Sequence, residues 1–168
     1  KVQLKKEFKK IPKKIKLINC VGGGSSAYGF WSEFIDFPKS QIELIGVEAG
    51  GPKNSKLNAA PLSRGAKLGV LHGAASYVCQ NNEGQINETE SISAGLDYPG
   101  VSPIHCFLKD TKRARYTYAT DEDALNAYKL VTKFEKLNPS LEPSHAFAEA
   151  IRIAPRLNKD TIIIVNSC

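Results

Sequence analysis

The sequence predicts an α/β fold with a mostly parallel sheet and flanking helices. Short apolar runs of strand length alternate with helical patterns, and the runs IKLINC and TIIIV show no polar alternation. A glycine-rich loop joins the first of these runs to a helix. Apolar runs without alternation are typical of parallel strands covered on both faces, and intervening helices supply that cover. We therefore expect residues 1–168 to form a single α/β domain.

The first third of the chain has the order strand, tight turn, helix, strand. The strands are predicted at residues 15–21 and 41–48, each a short apolar run. The helix is predicted to begin at the glycine loop and to run to about Asp36, with Pro38 ending it. This order is that of a βαβ unit, in which the two strands are parallel.

The middle of the chain, residues 49–101, is rich in Gly, Asn, Pro and Ser and shows no sustained periodicity. A long functional loop is predicted there. The later elements are predicted as a helix at 103–112, a strand at 114–119, helices at 121–136 and 143–153, and a strand at 161–165. Thr120 and Asp123 have the spacing of a capping box. The last strand, without polar alternation, is predicted to be buried on both faces.

Composition predicts a soluble, cytoplasmic protein without a membrane partner. Hydrophobic residues make up 42% of the chain and charged residues 24%, as in ordinary globular proteins. No stretch approaches the roughly 18 apolar residues of a membrane helix, and the lysine-rich start lacks the apolar core of a signal peptide. The four cysteines are far apart and form no CxxC pair, so we expect reduced thiols rather than a zinc site or disulfides.

The net charge of +6 is concentrated at the start of the chain. Residues 1–16 carry eight lysines and one glutamate, so the remaining residues are close to neutral. Nucleic-acid binding would require a basic face extending over the body of the chain. We predict instead a solvated helix whose Val2, Leu4 and Phe8 touch the core, and no nucleic-acid partner. An interaction module led by this helix is an alternative, and it predicts strongly salt-dependent DNA binding.

The stretch VGGGSSA, residues 21–27, predicts an anion site between a strand and a helix. Glycines let the backbone approach an anion closely, and the first N–H groups of the helix point at it. No GK[ST] follows the glycines, which disfavours a nucleoside triphosphate. GGGSSA also fits the dinucleotide pattern GxGxx[GA], and Glu48 ends the next strand where a ribose-binding acid is expected. A dinucleotide-binding module and a tight turn without a ligand both stay open.

Longer motifs favour a different cofactor. CVGGGSSA, LIGVEAGG, GQINETESISAGLDYPGV and LEPSHA follow one another along essentially the whole chain. In sequence and order these motifs resemble the tryptophan synthase beta chain family. The resemblance implies a fold-type II enzyme dependent on pyridoxal 5'-phosphate (PLP), with this chain as most of the C-terminal half, a Rossmann-like domain. It also implies β-replacement of L-serine with indole to give L-tryptophan, an alpha-chain partner and a beta–beta homodimer.

The resemblance assigns roles to individual residues. The cofactor phosphate would be bound by Gly22, Gly23, Gly24, Ser25 and Ser26. Gly95 would lie beside the cofactor ring, Glu142 would transfer protons to and from substrate intermediates, and Asp97 would contact the amino-acid substrate. A monovalent cation, Na⁺ or K⁺, would be held by the backbone carbonyls of Gly22, Tyr98 and Gly100.

The chain departs from the family pattern in ways that affect the expected chemistry. Cys168 stands where the family has a serine that hydrogen-bonds the pyridine nitrogen, and a thiol is a weaker partner. Ser26 stands where the family usually has asparagine. No lysine has the sequence context of the family's Schiff-base lysine, which attaches the cofactor covalently. We therefore predict that the isolated chain does not synthesise tryptophan.

Overall fold

A parallel sheet is the centre of the computed structural model, which describes residues 6, 7 and 12–168. The regular elements in chain order are β1 (Lys14–Cys20), α1 (Ser25–Trp31), β2 (Ile42–Ala49), β3 (Lys67–Leu71), β4 (Ala74–Val78), α2 (Pro103–Asp110), β5 (Ala114–Ala119), α3 (Asp121–Glu135), α4 (Leu141–Ile153) and β6 (Thr161–Val165). The sheet has the strand order β5-β2-β1-β6, and each neighbouring pair is parallel. The predicted α/β class is confirmed.

Both faces of the two central strands are covered. Leu17 of β1 and Leu44 of β2 pair in the sheet and pack into an apolar cluster that includes Trp31 of α1. On the opposite face, Ile18 and its neighbours on β2 pack into a second cluster that includes Ala146 of α4. The absence of polar alternation in β1 therefore follows from burial on two faces.

The strands β1 and β2 lie within one residue of their predicted positions, whereas the first helix is shorter than predicted. α1 ends at Trp31, and a 3₁₀ turn, Ser32–Phe34, takes the place of its predicted continuation to Asp36. The predicted capping box of α3 is confirmed: Thr120 Oγ1 accepts from the Asp123 N–H, and an Asp123 carboxylate oxygen accepts from the Thr120 N–H.

The prediction that the last strand is buried on both faces is wrong. All five residues of β6 are only half-buried, because β6 is an edge strand and, among the described strands, pairs with β1 alone. An apolar composition does not reveal where in the sheet a strand lies, and the edge position leaves part of each side chain accessible to solvent.

The long segment 49–101 contains a hairpin that was not predicted. β3 and β4 pair antiparallel and are joined by His72 and Gly73. Both residues have positive φ, 50° and 78°, as the central positions of a type I′ turn require. The rest of the segment is largely irregular, as expected.

The predicted lysine-rich helix before Pro12, with Val2, Leu4 and Phe8, lies mostly outside the described residues. None of the helices that the structure describes has both the length and the apolar character needed to span a membrane.

Candidate functional site

The glycine loop after β1 is shaped by close contacts at two of its three glycines. A Cβ atom at Gly22 would lie 2.7 Å from the carbonyl oxygen of Gly95, and one at Gly24 would lie 2.2 Å from the ring of His105. Gly24 also has a φ of 99°, a left-handed conformation that favours glycine. A Cβ at Gly23 would meet no heavy atom within 4 Å. Gly22 and Gly24 are therefore required by packing, while Gly23 leaves the loop open.

His105 of α2 lies fully buried against the loop and holds it in place. Its Nε2 is 2.7 Å from the Gly24 carbonyl oxygen, and its Nδ1 is 2.7 Å from the Tyr116 hydroxyl. Burial lowers the pKa of His105, so the ring is neutral near pH 7. Because a carbonyl can only accept, this network assigns the hydrogen to Nε2, and Nδ1 accepts from Tyr116. Sequence reasoning gave His105 no role.

The hydroxyl oxygen of Ser26 accepts two hydrogen bonds from side-chain amides. Its Oγ lies 3.4 Å from Asn19 Nδ2 and 3.2 Å from Asn166 Nδ2, and both amides donate to it. A hydroxyl has two acceptor lone pairs and one hydrogen, so the hydrogen of Ser26 is left to donate to another group. Ser25 beside it is also exposed. The loop therefore offers hydroxyl donors suited to an anion.

Glu142, the second residue of α4, contacts the glycine loop's neighbour Gly95. The Gly95 N–H donates to Glu142 Oε1 at 3.0 Å, and a Cβ at Gly95 would lie 2.9 Å from that oxygen. Burial by itself raises the pKa of Glu142, but hydrogen bonds from its own N–H, the Ser140 hydroxyl and the Gly95 N–H lower it overall. The carboxylate is thus ionised at neutral pH, and its Oε1 is held by the Gly95 N–H.

These groups line one cleft. It has a volume of about 140 Å³ and is lined by Cys20, Gly22, Gly23, Gly24, Ser25, Ser26, Gly95, Leu96, Glu142 and Cys168. The structure thereby brings together the five predicted phosphate-binding residues, the predicted ring neighbour, the predicted acid–base residue and the predicted ring-nitrogen partner. Cys20 and Leu96 were not predicted to belong to the site.

Three other predicted residues lie outside this cleft. Asp97 is exposed and follows the 3₁₀ turn Ala94–Leu96. Tyr98 lines a neighbouring cavity together with Gly23, and its hydroxyl is 2.9 Å from His72 Nδ1. Gly100 is buried nearby, against Leu71. Among the described residues, no group of three or more His, Cys, Asp or Glu could hold a metal ion, but a site made of carbonyl oxygens would not depend on such a group.

The carboxyl group of Glu48, the candidate ribose-binding acid, is hydrogen-bonded within the protein. Its side chain is fully buried, Oε1 accepts from the Leu62 N–H, and Oε2 accepts from the N–H and hydroxyl of Ser63. Burial raises the pKa of Glu48 to about 7 in spite of these hydrogen bonds. The carboxyl group therefore fixes a turn of the chain and is not available to a ribose.

Sequence relatives match most of the chain. The chain is 50% identical over 151 residues to a tryptophan synthase beta chain of Chromobacterium violaceum, 52% identical over 151 residues to tryptophan synthase beta chain 1 of Chlamydia caviae, and 45% identical over 152 residues to a tryptophan synthase beta chain of Bradyrhizobium sp. (strain ORS 278). The matches cover 89%, 89% and 90% of this chain. The relatives that match about nine-tenths of this chain are therefore tryptophan synthase beta chains.

The chain spans 36% to 37% of the length of these tryptophan synthase beta chains. No model of a protein family matches it. Its fold resembles a crystal structure of threonine deaminase from T.th., with a TM-score of 0.63 and 16% identity over 99% of this chain and 52% of that chain. This likeness supports the fold expected from the family resemblance.

Gly24→Ala is expected to destabilise the fold strongly. The left-handed φ costs about 1–2 kcal/mol for a residue with a Cβ, and the overlap with His105 adds roughly 1–3 kcal/mol of overpacking. We expect the free energy of unfolding, measured by urea denaturation, to fall by about 2–5 kcal/mol. Gly23→Ala is the matched control and should change it by less than about 1 kcal/mol. Equal losses in the two variants would contradict the packing described for the loop.

His105→Gln is expected to reduce the acid sensitivity of the fold. Because burial lowers the pKa of His105 below the roughly 6.5 of an unfolded chain, the neutral ring contributes stability that is present above that pH and lost as the pH falls. The wild-type chain should therefore be more stable than the variant near pH 8, by about 1–3 kcal/mol. This difference should shrink towards pH 5, as followed by urea denaturation. A difference independent of pH would show that the ring does not resist protonation.

Proposed function

We propose that the chain is part of a PLP-dependent tryptophan synthase beta subunit, a carbon–oxygen lyase that converts L-serine and indole into L-tryptophan and water. The observation that carries this proposal is the single cleft formed by the glycine loop, Gly95, Glu142 and Cys168. In this proposal, residues 1–168 are a single domain that supplies the cofactor-phosphate half of a two-domain subunit.

The residues of the cleft fit the two ends of this cofactor. The exposed backbone of Gly23 and the hydroxyls of Ser25 and Ser26 suit a phosphate, and Cys168, which lines the same cleft, is proposed to face the ring nitrogen. When bound, PLP withdraws electrons from the α-carbon of an amino acid. A thiol is a weak, neutral partner, so Cys168 would leave the ring nitrogen unprotonated.

Glu142 is suited to moving a proton at the open side of the cleft. Its Oε1 is held by the Gly95 N–H, and the carboxylate so oriented is proposed to accept a proton from substrate and return it. Its lowered pKa keeps the carboxylate ionised at neutral pH. We propose that Glu142 is the acid–base residue next to indole.

The remaining assignments rest on the family. The exposed carboxylate of Asp97 is proposed to contact the amino-acid substrate. The carbonyls of Gly22, Tyr98 and Gly100 are proposed to hold Na⁺ or K⁺, which would neutralise charge beside the cleft. We also propose that the whole subunit binds an alpha chain and a second beta subunit. Its proposed location is the cytoplasm.

The chain is expected to bind PLP but not NAD, with Ser26 as a phosphate donor. Ser26→Ala removes a hydrogen bond to a charged group, worth about 1.5–3 kcal/mol, so the PLP affinity should fall at least about tenfold. Inorganic phosphate should compete in the same calorimetric titration. Ser40→Ala changes an exposed serine outside the cleft and should leave the affinity unchanged. NAD binding in place of PLP would support the dinucleotide-binding alternative instead.

We expect the isolated chain to form no tryptophan from serine and indole, because the covalent lysine of the family has no counterpart in it. Grafted in place of the matching part of the Chromobacterium violaceum relative, the chain should support synthesis. In that chimera Glu142→Gln should lower kcat about 100-fold or more, as loss of an acid–base group does, with little change in PLP affinity. Glu135→Gln, an exposed change in α3, is the control. Normal turnover in the Glu142→Gln chimera would remove Glu142 from the mechanism.

A further inference from the structure

Two cysteines face each other inside the cleft. The Sγ atoms of Cys20 and Cys168 are 3.8 Å apart, and both residues line the cleft beside the glycine loop. The other two cysteines contact backbone groups instead: Cys79 approaches the Asn58 carbonyl, and Cys106 the Tyr77 N–H and the Ser102 carbonyl. The first pair is therefore the one placed for chemistry between thiols.

The backbone around this pair suits a disulfide. Cys20 ends β1, and Cys168 follows β6, the parallel neighbour of β1 in which Val165 pairs with Ile18. Continued past this pair, the register would set Ser167 opposite Cys20 and Cys168 one residue further on. Neighbouring strands are about 4.8 Å apart, and disulfides require roughly 4.4–6.8 Å between Cα atoms. The sulfurs must approach from 3.8 Å to about 2.05 Å. Cys168 is exposed and lies beyond the end of β6, so its side chain can rotate to make this approach.

We propose that Cys20 and Cys168 are a redox modification site, at which a small disulfide such as oxidised glutathione converts the two thiols into an intramolecular disulfide that closes the cleft. Formation of the bond rests on the geometry of the thiols alone. Its effect on cofactor binding rests on the proposed function, because Cys168 would then no longer face the ring of PLP.

The order of the steps follows from exposure. Burial, and then the neighbouring Cys168 thiol, raise the pKa of Cys20, so the exposed Cys168 is the first thiolate to react. It attacks one sulfur of oxidised glutathione, forms a mixed disulfide and releases one glutathione thiolate, which takes up the proton lost by Cys168. Cys20 then attacks Cys168 Sγ, forms the protein disulfide, and releases the second glutathione, which takes up the proton of Cys20. The protein loses two electrons and two hydrogens, and oxidised glutathione gains them.

Peptide mapping of the full 168-residue chain tests the bond without any variant. After treatment with oxidised glutathione, we expect a disulfide-linked peptide pair containing Cys20 and Cys168, and a protein mass lower by two hydrogens. Cys79→Ser should form the same pair, whereas Cys168→Ser should not. A stable glutathione adduct at Cys168, unchanged thiols, or linkage to another cysteine would each overturn the proposal.

Cofactor titration tests the closing of the cleft. Oxidised wild-type chain and oxidised Cys79→Ser should bind PLP at least tenfold more weakly than their reduced forms, and a thiol reductant should restore binding. Cys168→Ser should bind equally well before and after oxidation. An unchanged affinity in the disulfide form would overturn the closing of the cleft. If the reduced chain does not bind PLP, the proposed function fails while the peptide map still tests the disulfide.

Discussion

The hydrogen bond from His105 to the Gly24 carbonyl is the contact on which the site depends. It joins α2, which follows the long middle segment, to the loop that follows the first strand of the sheet. The ring fills the volume that any Cβ at Gly24 would need, and it packs edge-on against Trp31 of α1 and against Tyr116 of β5. The start of α1, the shape of the loop and one apolar face of the sheet are therefore fixed by one buried neutral side chain.

The main features of the fold could be predicted from local patterns, and the failures have a common cause. β1, β2 and α3 were predicted correctly because their signals are local in sequence. Burial on two faces gives an unbroken apolar run, and a capping box gives a fixed spacing of two residues. The half-exposure of β6 depends on its edge position, which only the assembled sheet determines. The hairpin was missed because its turn places a non-glycine residue, His72, at positive φ, and no common turn sequence marks it.

The site residues also fall into two groups. A continuous motif indicates some of them, and only tertiary contacts bring the others to the site. The glycine loop and Glu142 could be identified because their motifs are continuous in sequence. His105 and Cys20 act through partners 81 and 148 residues away, Gly24 and Cys168, and no spacing rule connects residues so far apart. The histidine lies four residues after Val101, the last residue of the GQINETESISAGLDYPGV motif, and the residue type alone did not indicate a contact with the loop.

Two glycines couple the glycine loop of the cleft to Glu142. Gly22 can approach the Gly95 carbonyl only because it has no Cβ, and Gly95 approaches Glu142 for the same reason. The Gly95 N–H then fixes one oxygen of the carboxylate. The position of Glu142 relative to the loop is thus transmitted through main-chain atoms, which are stiffer than side chains. Because interiors are close-packed, a methyl group at either glycine would displace the carboxylate and the loop together. The glycines of AGLDYPG and VGGGSSA therefore act together, although Gly95 lies 73 positions after Gly22.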